Sequence, residues 1–260
     1  MTQAACPTVP SDRAVRPQPL PDVVCRARLG VILPSVNTVV EVWFNQMLPE
    51  GVSLHATRML LDSEITAEAL RRMDHTEGMT AAQRLASCRP HAIAYGCTAS
   101  SVVQGSAYDE ALRHELEGAT SRPCCTAAGA LVDALRLLGA RAIAIASPYN
   151  DVIGHAERRF FEDAGFRVVG EAHLGISDAF ELARPTPEEI RQLALRAWSD
   201  AADVLVISCL NMNSHGAVAA LERVTGHPAI TSTTATLWKL LRMAGVNDTV
   251  HGYGQLLSHH

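Results

Sequence analysis

Lysine is almost absent from this sequence, which has a single lysine, Lys239, among 22 basic residues. Enzymes that bind their substrate or pyridoxal phosphate as a Schiff base need a lysine amine. Lys239 lies in TATLWKLLRMAG, whose pattern is that of an ordinary amphipathic helix. The phosphate-binding loop motif GxxxxGK[ST] is missing as well. The sequence therefore disfavours Schiff-base chemistry and excludes a P-loop.

Other features are also missing. No apolar run approaches the roughly 20 residues that cross a bilayer, and the first residues lack a hydrophobic signal core. The net charge of -5 offers no clustered basic surface for nucleic acid. Seven cysteines without CxxC spacing indicate neither a disulfide framework nor a zinc ribbon, and the histidines form no HExxH or HxH motif. We expect a cytoplasmic protein with no metal, no cofactor, and no membrane or nucleic-acid partner.

What remains is an alternation of short apolar runs with longer segments of helical period. Residues 1–26 hold five of the 13 prolines and no such pattern, so we interpret them as a mobile tail. We predict strands at 28–33, 52–60, 91–96, 122–126, 141–147, 167–173, 203–208 and 228–231, and helices at 66–87, 104–117, 127–139, 151–164, 187–200, 214–225 and 232–244. This order predicts an α/β fold in which parallel sheets are covered on both faces.

The two halves of the sequence resemble each other. LPSVN recurs as SPYN, YGCTASS as ISCLNMNS, and PCCTAAGALVDALRLLGA as PAITSTTATLWKLLRMAGV, at offsets of 105 to 114 residues. We therefore predict two pseudosymmetric lobes, each with a mostly parallel four-stranded sheet. The first comprises 27–140 together with a returning segment, 232–260, and the second comprises 141–231. Because α/β sheets bind ligands at the carboxyl ends of their strands, we expect the active site between the lobes.

Two cysteines occupy corresponding places in this repeat. Cys97 and Cys209 each follow a strand pattern and precede small polar residues that look like a helix start. Unpaired N–H groups at a helix amino terminus favour a thiolate and attract a carboxylate, so we expect lowered thiol pKa values here. An isolated cysteine is usually a small buried hydrophobe, which is the role we expect for the other cysteines, at 6, 25, 88, 124 and 125.

The motifs at 28–41, 95–101, 147–150, 208–211 and 231–245 resemble the aspartate/glutamate racemase superfamily. The resemblance spans about residues 28 to 246. Within the superfamily, the branch of maleate cis-trans isomerases and arylmalonate decarboxylases is the most similar. Arylmalonate decarboxylases carry glycine where this chain has Cys97, which makes a decarboxylase less well supported than an isomerase.

The resemblance implies cofactor-free chemistry beside a carboxylate. Cys97 would add to the double bond of a cis-enedioate such as maleate, and Cys209 would give a proton to the neighbouring carbon and take it back. An amino-acid or hydantoin racemase with two cysteines is an alternative, as is a carboxylate-binding protein without turnover. The superfamily also implies a homo-oligomer, with a dimer favoured.

The resemblance further implies a set of substrate-binding residues in the matching loops. Asn37 would donate its amide to a carboxylate, although an asparagine in such a loop can equally cap a helix. The hydroxyl groups of Tyr149 and Thr98 would also contact the substrate. The remaining candidates are Ser35, Leu210 and Asn211. One departure is Ala179, which stands where maleate isomerases are expected to have a second carboxylate-binding asparagine; Asn211 is a possible substitute.

Overall fold

The computed structural model describes residues 25–260. The predicted tail at 1–26, including Cys6, therefore lies outside the described residues, except for Cys25 and Arg26. Within the described part, no helix is long and apolar enough to span a membrane.

The first half of the chain builds one sheet and its covering helices. Its elements are β1 (Ala27–Pro34), α1 (Val40–Met47), β2 (Val52–Met59), α2 (Ala67–Met73), a π-helical turn (Asp74–Gly78), α3 (Met79–Ala86), β3 (Ala92–Tyr95), α4 (Thr98–Gln104), α5 (Ser106–Thr120), β4 (Cys124–Thr126) and α6 (Ala127–Leu137).

The second half repeats this plan. Its elements are β5 (Ala142–Tyr149), α7 (Asp151–Asp163), β6 (Arg167–Ile176), a 3-10 turn (Glu181–Ala183), α8 (Pro187–Ala197), β7 (Val204–Ile207), a 3-10 turn (His215–Ala217), α9 (Val218–Thr225), β8 (Ala229–Thr231), α10 (Ser232–Met243) and α11 (Gln255–His259).

Both sheets have four strands, and every strand pair in them is parallel. The strand orders, β2-β1-β3-β4 and β6-β5-β7-β8, are the same arrangement written twice. The inner strands β3 and β7 are buried along their whole length, as their continuous apolar sequences AIAY and VLVI predict. The predicted α/β fold with two similar sheets is confirmed.

The two halves are joined in several places. Helix α10 packs on α6 and contacts β3 and β4 of the first sheet as well as β8 of the second. A single antiparallel bridge, Glu64 with Asp178, links the loop after β2 to the loop after β6. The predicted lobe boundaries at 140 and 231 stay a prediction.

Some helix boundaries differ from the prediction. The helix predicted at 104–117 corresponds to α5, which begins directly after Gly105; this glycine, with a φ of +89°, separates it from α4. The helix predicted at 66–87 contains a π-helical turn in its middle. The short closing helix α11 was not predicted.

Candidate active site

A cavity of about 30 Å³ lies where the carboxyl ends of the two sheets meet. Its wall includes Pro34 at the end of β1 and Asn37 after it, Cys97 and Thr98 after β3, Tyr149 at the end of β5, and the segment 209–211 after β7. The rest of the wall is mostly apolar, from Val36, Leu61, Ile65, Leu70, Ala99 and Leu182. The loops of both lobes thus enclose one site, as the sequence predicts. Among the described residues, no cluster of side chains could hold a metal ion.

Cys97 is the N-cap residue of α4. Backbone N–H groups of Ala99 and Ser100 point to its sulfur and favour the thiolate. Two effects oppose them: the thiol is buried, and the carboxylate of Asp74 lies nearby. Burial is the larger effect, and together they hold the pKa of Cys97 well above its ordinary value.

Cys209 lies in a different local structure from the one predicted. It precedes a turn, not a helix, and its φ of +95° is rare for a residue with a side chain. The N–H groups of Asn211 and Met212 point to its sulfur, and the Tyr149 hydroxyl also lowers the thiol pKa. Burial again outweighs these groups and raises the pKa of Cys209 to about 12.

The prediction of lowered thiol pKa values is therefore wrong for this form of the site. The backbone N–H groups are present as expected, but complete burial penalises the charged sulfur more than they stabilise it. The two thiols are also near enough for a thiolate at Cys209 to raise the pKa of Cys97. A thiolate at one of the two cysteines therefore disfavours a thiolate at the other.

Ser232 connects the two thiol positions, and sequence reasoning missed it. Its Oγ accepts a hydrogen bond from the backbone N–H of Cys209 at 3.0 Å and another from the Thr98 hydroxyl at 3.1 Å. Thr98 lies on the cavity wall, as predicted, but its hydroxyl group already donates to Ser232. Close packing joins the lobes here too, because a Cβ added at Gly96 would meet Leu33, the Ile32 carbonyl oxygen and Leu210.

Asn37 has the capping role that its sequence position allows. Its Oδ1 accepts hydrogen bonds from the N–H groups of Val39 and Val40, both at 3.0 Å, and so caps the start of α1. Its Nδ2 makes no hydrogen bond within residues 25–260 and is available to a ligand in the cavity. The side chain of Arg58 fixes this loop by donating to the carbonyl oxygens of Ser35 and Asn37.

The remaining predicted residues differ in their placement. Tyr149 is 1% exposed on the cavity wall, so the alternative of an exposed tip is wrong. The Oγ of Ser35 accepts from the backbone N–H of Leu61, and Ser35 does not line the cavity. Leu210 lines the cavity with its apolar side chain.

Asn211 cannot replace the asparagine missing at position 179 while it keeps its present contacts. Its Oδ1 accepts from the backbone N–H of Thr38, and its Nδ2 donates to the carbonyl oxygens of Ala179 and Val36. The amide thus holds the loops of the two lobes together. Ala179 itself is fully buried and does not line the cavity.

Two buried carboxyl groups lie behind the thiols, and sequence reasoning missed both. Asp74 accepts hydrogen bonds from Tyr95, Ser100, Gln104 and Tyr108. Glu157 lies in α7 and is fully buried. In the sequence, each has the pattern of a solvent-facing residue of an amphipathic helix. Only the structure shows that both side chains are buried.

The other described cysteines line no part of this cavity. Cys124 and Cys125 are buried in β4, Cys88 is half-buried and Cys25 is exposed. All six cysteines of the described region are free thiols.

Comparisons with known proteins agree with this architecture. Residues 29–257 match the family model for arylmalonate decarboxylase. A maleate isomerase of Pseudomonas putida is 32% identical over 244 residues, which cover 89% of this chain and 97% of the relative. An arylmalonate decarboxylase of Bordetella bronchiseptica is 31% identical over 162 residues, 61% of this chain and 68% of the relative.

A solved structure shares the whole fold. It is a variant of the Nocardia farcinica maleate cis-trans isomerase with a covalently bound succinylcysteine intermediate, and it superposes with a TM-score of 0.85. Its sequence is 25% identical, and the match covers 90% of this chain and 99% of that one. The family match over most of the chain and the relatives named as maleate isomerases confirm the assignment predicted from the motifs. The chain belongs to the arylmalonate decarboxylase family, in the branch that includes the maleate isomerases.

Proposed function

We propose that this protein is a cofactor-independent cis-trans isomerase of a small unsaturated dicarboxylate, with maleate as the model substrate. The observation that carries the proposal is the pair Cys97 and Cys209, which line one cavity from equivalent ends of two sheets. The relatives named as maleate isomerases and the succinylcysteine in the Nocardia farcinica structure support the same chemistry.

The reaction needs one thiolate and one thiol. The Cys97 sulfur forms a bond to one alkene carbon, and the Cys209 thiol gives its proton to the other, so the double bond becomes a single bond that can rotate. Cys209 then takes back a proton from that carbon as the carbon–sulfur bond breaks, which leaves the trans product. Atoms and charge balance, and both sulfurs return to their starting states.

Neutral donors would hold the substrate carboxylates. The free Nδ2 of Asn37 and the N–H groups next to each thiol are the candidates, since no charged side chain lines the cavity among the described residues. The cavity of about 30 Å³ holds roughly two water molecules. A four-carbon diacid therefore requires the surrounding loops to move apart before the site closes over it.

The test is to trap the intermediate. In Cys209→Ser, maleate should add to Cys97 with a proton taken from water and stay there, because serine is too weak a base to remove that proton again; peptide mass analysis should find the mass of maleic acid on Cys97. Cys97→Ser should form no adduct and lose isomerisation by more than about a thousandfold. Cys88→Ser, a half-buried thiol outside the cavity, is the matched control and should stay active. Turnover of maleate by Cys97→Ser would refute the proposal.

A racemase with the same two thiols gives a different isotope result. In deuterated solvent it would place deuterium on the α-carbon of an amino acid or hydantoin, whereas the proposed enzyme converts maleate to fumarate. A carboxylate-binding protein would bind maleate and convert nothing. We also propose a homodimer, which sedimentation velocity can test.

A further inference from the structure

Glu157 is an unusual residue that the proposed reaction leaves unused. It lies in α7, its side chain is fully buried, and neither carboxyl oxygen has a hydrogen-bond partner of standard geometry among the described residues. The Oγ of Ser208, the residue just before Cys209, is also buried without such a partner. A buried carboxyl group without partners costs free energy, so its presence next to the site requires an explanation.

The surroundings of Glu157 connect it to Cys209. Helix α7 packs against β5, which carries Ser147 and Tyr149 and pairs with β7. Ser208 and Cys209 follow directly after β7. The hydroxyl groups of Ser147 and Ser208 are near enough to lower the pKa of the carboxyl group. A negative charge on Glu157 raises the pKa of both Tyr149 and Cys209.

Other titratable groups near Glu157 lie on β6. Glu171 is ion-paired with Arg158 and raises the pKa of Glu157 slightly. The half-buried ring of His173 contacts the Ser147 hydroxyl at 2.9 Å and packs over Gly154 of α7. Helix α4, which packs against α7, has no titratable side chain. Burial dominates, and it raises the pKa of Glu157 to about 7.

We propose that Glu157 is a positioning residue for Cys209, whose carboxyl group controls how readily the Cys209 thiol loses and regains its proton. The proposal rests on the proposed function, in which Cys209 is the acid and base. When Glu157 is ionised, its charge disfavours the Cys209 thiolate, which makes that thiolate a stronger base when it takes the proton back. When Glu157 is neutral, this constraint is absent. The two groups thus titrate as a coupled pair.

The experiment measures Cys209 directly and needs no turnover. In the full chain with Cys97→Ser, the rate of carboxamidomethylation of Cys209 by iodoacetamide is followed against pH by peptide mass analysis. Adding Glu157→Gln keeps the shape of the side chain but removes its charge. The alkylation rate of the double variant divided by that of the Cys97→Ser protein should be near one well below about pH 7 and rise to about ten above it.

The matched control is Glu162→Gln, which removes an exposed carboxylate from the same helix. Its ratio should stay near one at every pH. A ratio for Glu157→Gln that is constant with pH would overturn the proposal, because a carboxyl group that only fills space has no reason to act more strongly once it ionises.

Two further measurements keep the proposal testable. If Glu157→Gln does not fold, the Cys97→Ser protein alone suffices. A plot of the logarithm of the Cys209 alkylation rate against pH should flatten near pH 7, whereas a thiol with no titrating neighbour gives a straight line there. With Cys97 intact, Glu157→Gln should lower kcat for maleate above about pH 7 and leave KM nearly unchanged, since Glu157 does not line the cavity. If maleate is not a substrate but the alkylation ratio still rises with pH, the isomerase proposal fails and this one stands.

Discussion

Cys97 and Cys209 occupy equivalent positions in two lobes of the same topology, yet their surroundings are built differently. Cys97 caps a regular helix, and the carboxylate behind it, Asp74, accepts four hydrogen bonds. Cys209 precedes a turn with a positive φ, and the carboxyl group behind it, Glu157, has no partner of standard geometry among the described residues. Tyr149 lies near both thiols, and its hydroxyl group lowers the pKa of Cys209.

The two lobes thus place carboxyl groups with different surroundings behind their thiols. Asp74 is surrounded by four donors, which suit a carboxylate that only accepts. Glu157, with a pKa of about 7, can change its charge near neutral pH. In the proposed reaction, the carboxyl group with the raised pKa therefore lies behind Cys209, the proposed acid and base.

The largest effect that we expect comes from replacing Asp74 by its amide. In Asp74→Asn, the amide oxygen can keep at most the three hydrogen bonds that Ser100, Gln104 and Tyr108 donate to one carboxylate oxygen, so at least one donor loses its acceptor and the remaining bonds lose the charge that strengthens them. We expect a loss of about 4 kcal/mol in the free energy of unfolding. The pKa of Cys97 should fall at the same time, because the Asp74 charge raises it.

Urea denaturation and the alkylation rate of Cys97 at fixed pH measure the two effects. Asp62→Asn, at an exposed carboxylate paired with Arg72, is the control and should change stability by less than about 0.5 kcal/mol. An Asp74→Asn protein as stable as the control would mean that the four contacts do not hold the first lobe together.

The second effect distinguishes the adjustable carboxyl group by its pH dependence. Folding raises the pKa of Glu157 from 4.5 to about 7, so between these values the folded protein holds a proton that the unfolded chain releases. Its contribution to stability is complete below pH 4.5 and is lost as the pH rises through about 7. Relative to wild type, Glu157→Gln should therefore gain about 3 kcal/mol in unfolding free energy over this window.

Urea titrations at several pH values measure this gain. Glu162→Gln on the same helix should run parallel to wild type, because its carboxylate is exposed. A difference between Glu157→Gln and wild type that does not change with pH would show that Glu157 has an ordinary pKa in the folded protein.

The pattern of the sequence predicted the large-scale arrangement well. Buried strands such as AIAY and VLVI have a clear apolar pattern, and the repeat placed Cys97 and Cys209 at equivalent strand ends that meet in one cavity. The turn at Cys209 was missed because LNMNS has the composition of a helix start.

Buried polar residues were the other failure of sequence reasoning. Glu157 lies in HAERRFFED among charged neighbours, and Asp74 lies in a π-helical turn inside a continuous helical pattern. Their burial comes from strands and helices far away in sequence, which local periodicity does not contain. Ser232 has no counterpart in the repeat either, since alanine occupies the equivalent position, 127.

The smallest effect concerns Ser232, the group that the two thiol positions share. In Ser232→Ala, the buried N–H of Cys209 loses its acceptor, and we expect a cost of about 2 kcal/mol in unfolding free energy.

The local effect of Ser232→Ala should be unequal between the lobes. Cys97 is held by the helix that it caps, whereas Cys209 has an unfavourable φ that this hydrogen bond helps to maintain. Amide hydrogen exchange should therefore accelerate around Cys209 more than around Cys97, and Ser87→Ala, at an exposed helix end, should accelerate neither. Equal acceleration at both sites would mean that Ser232 supports the two thiols alike and that the turn at Cys209 is held by other contacts.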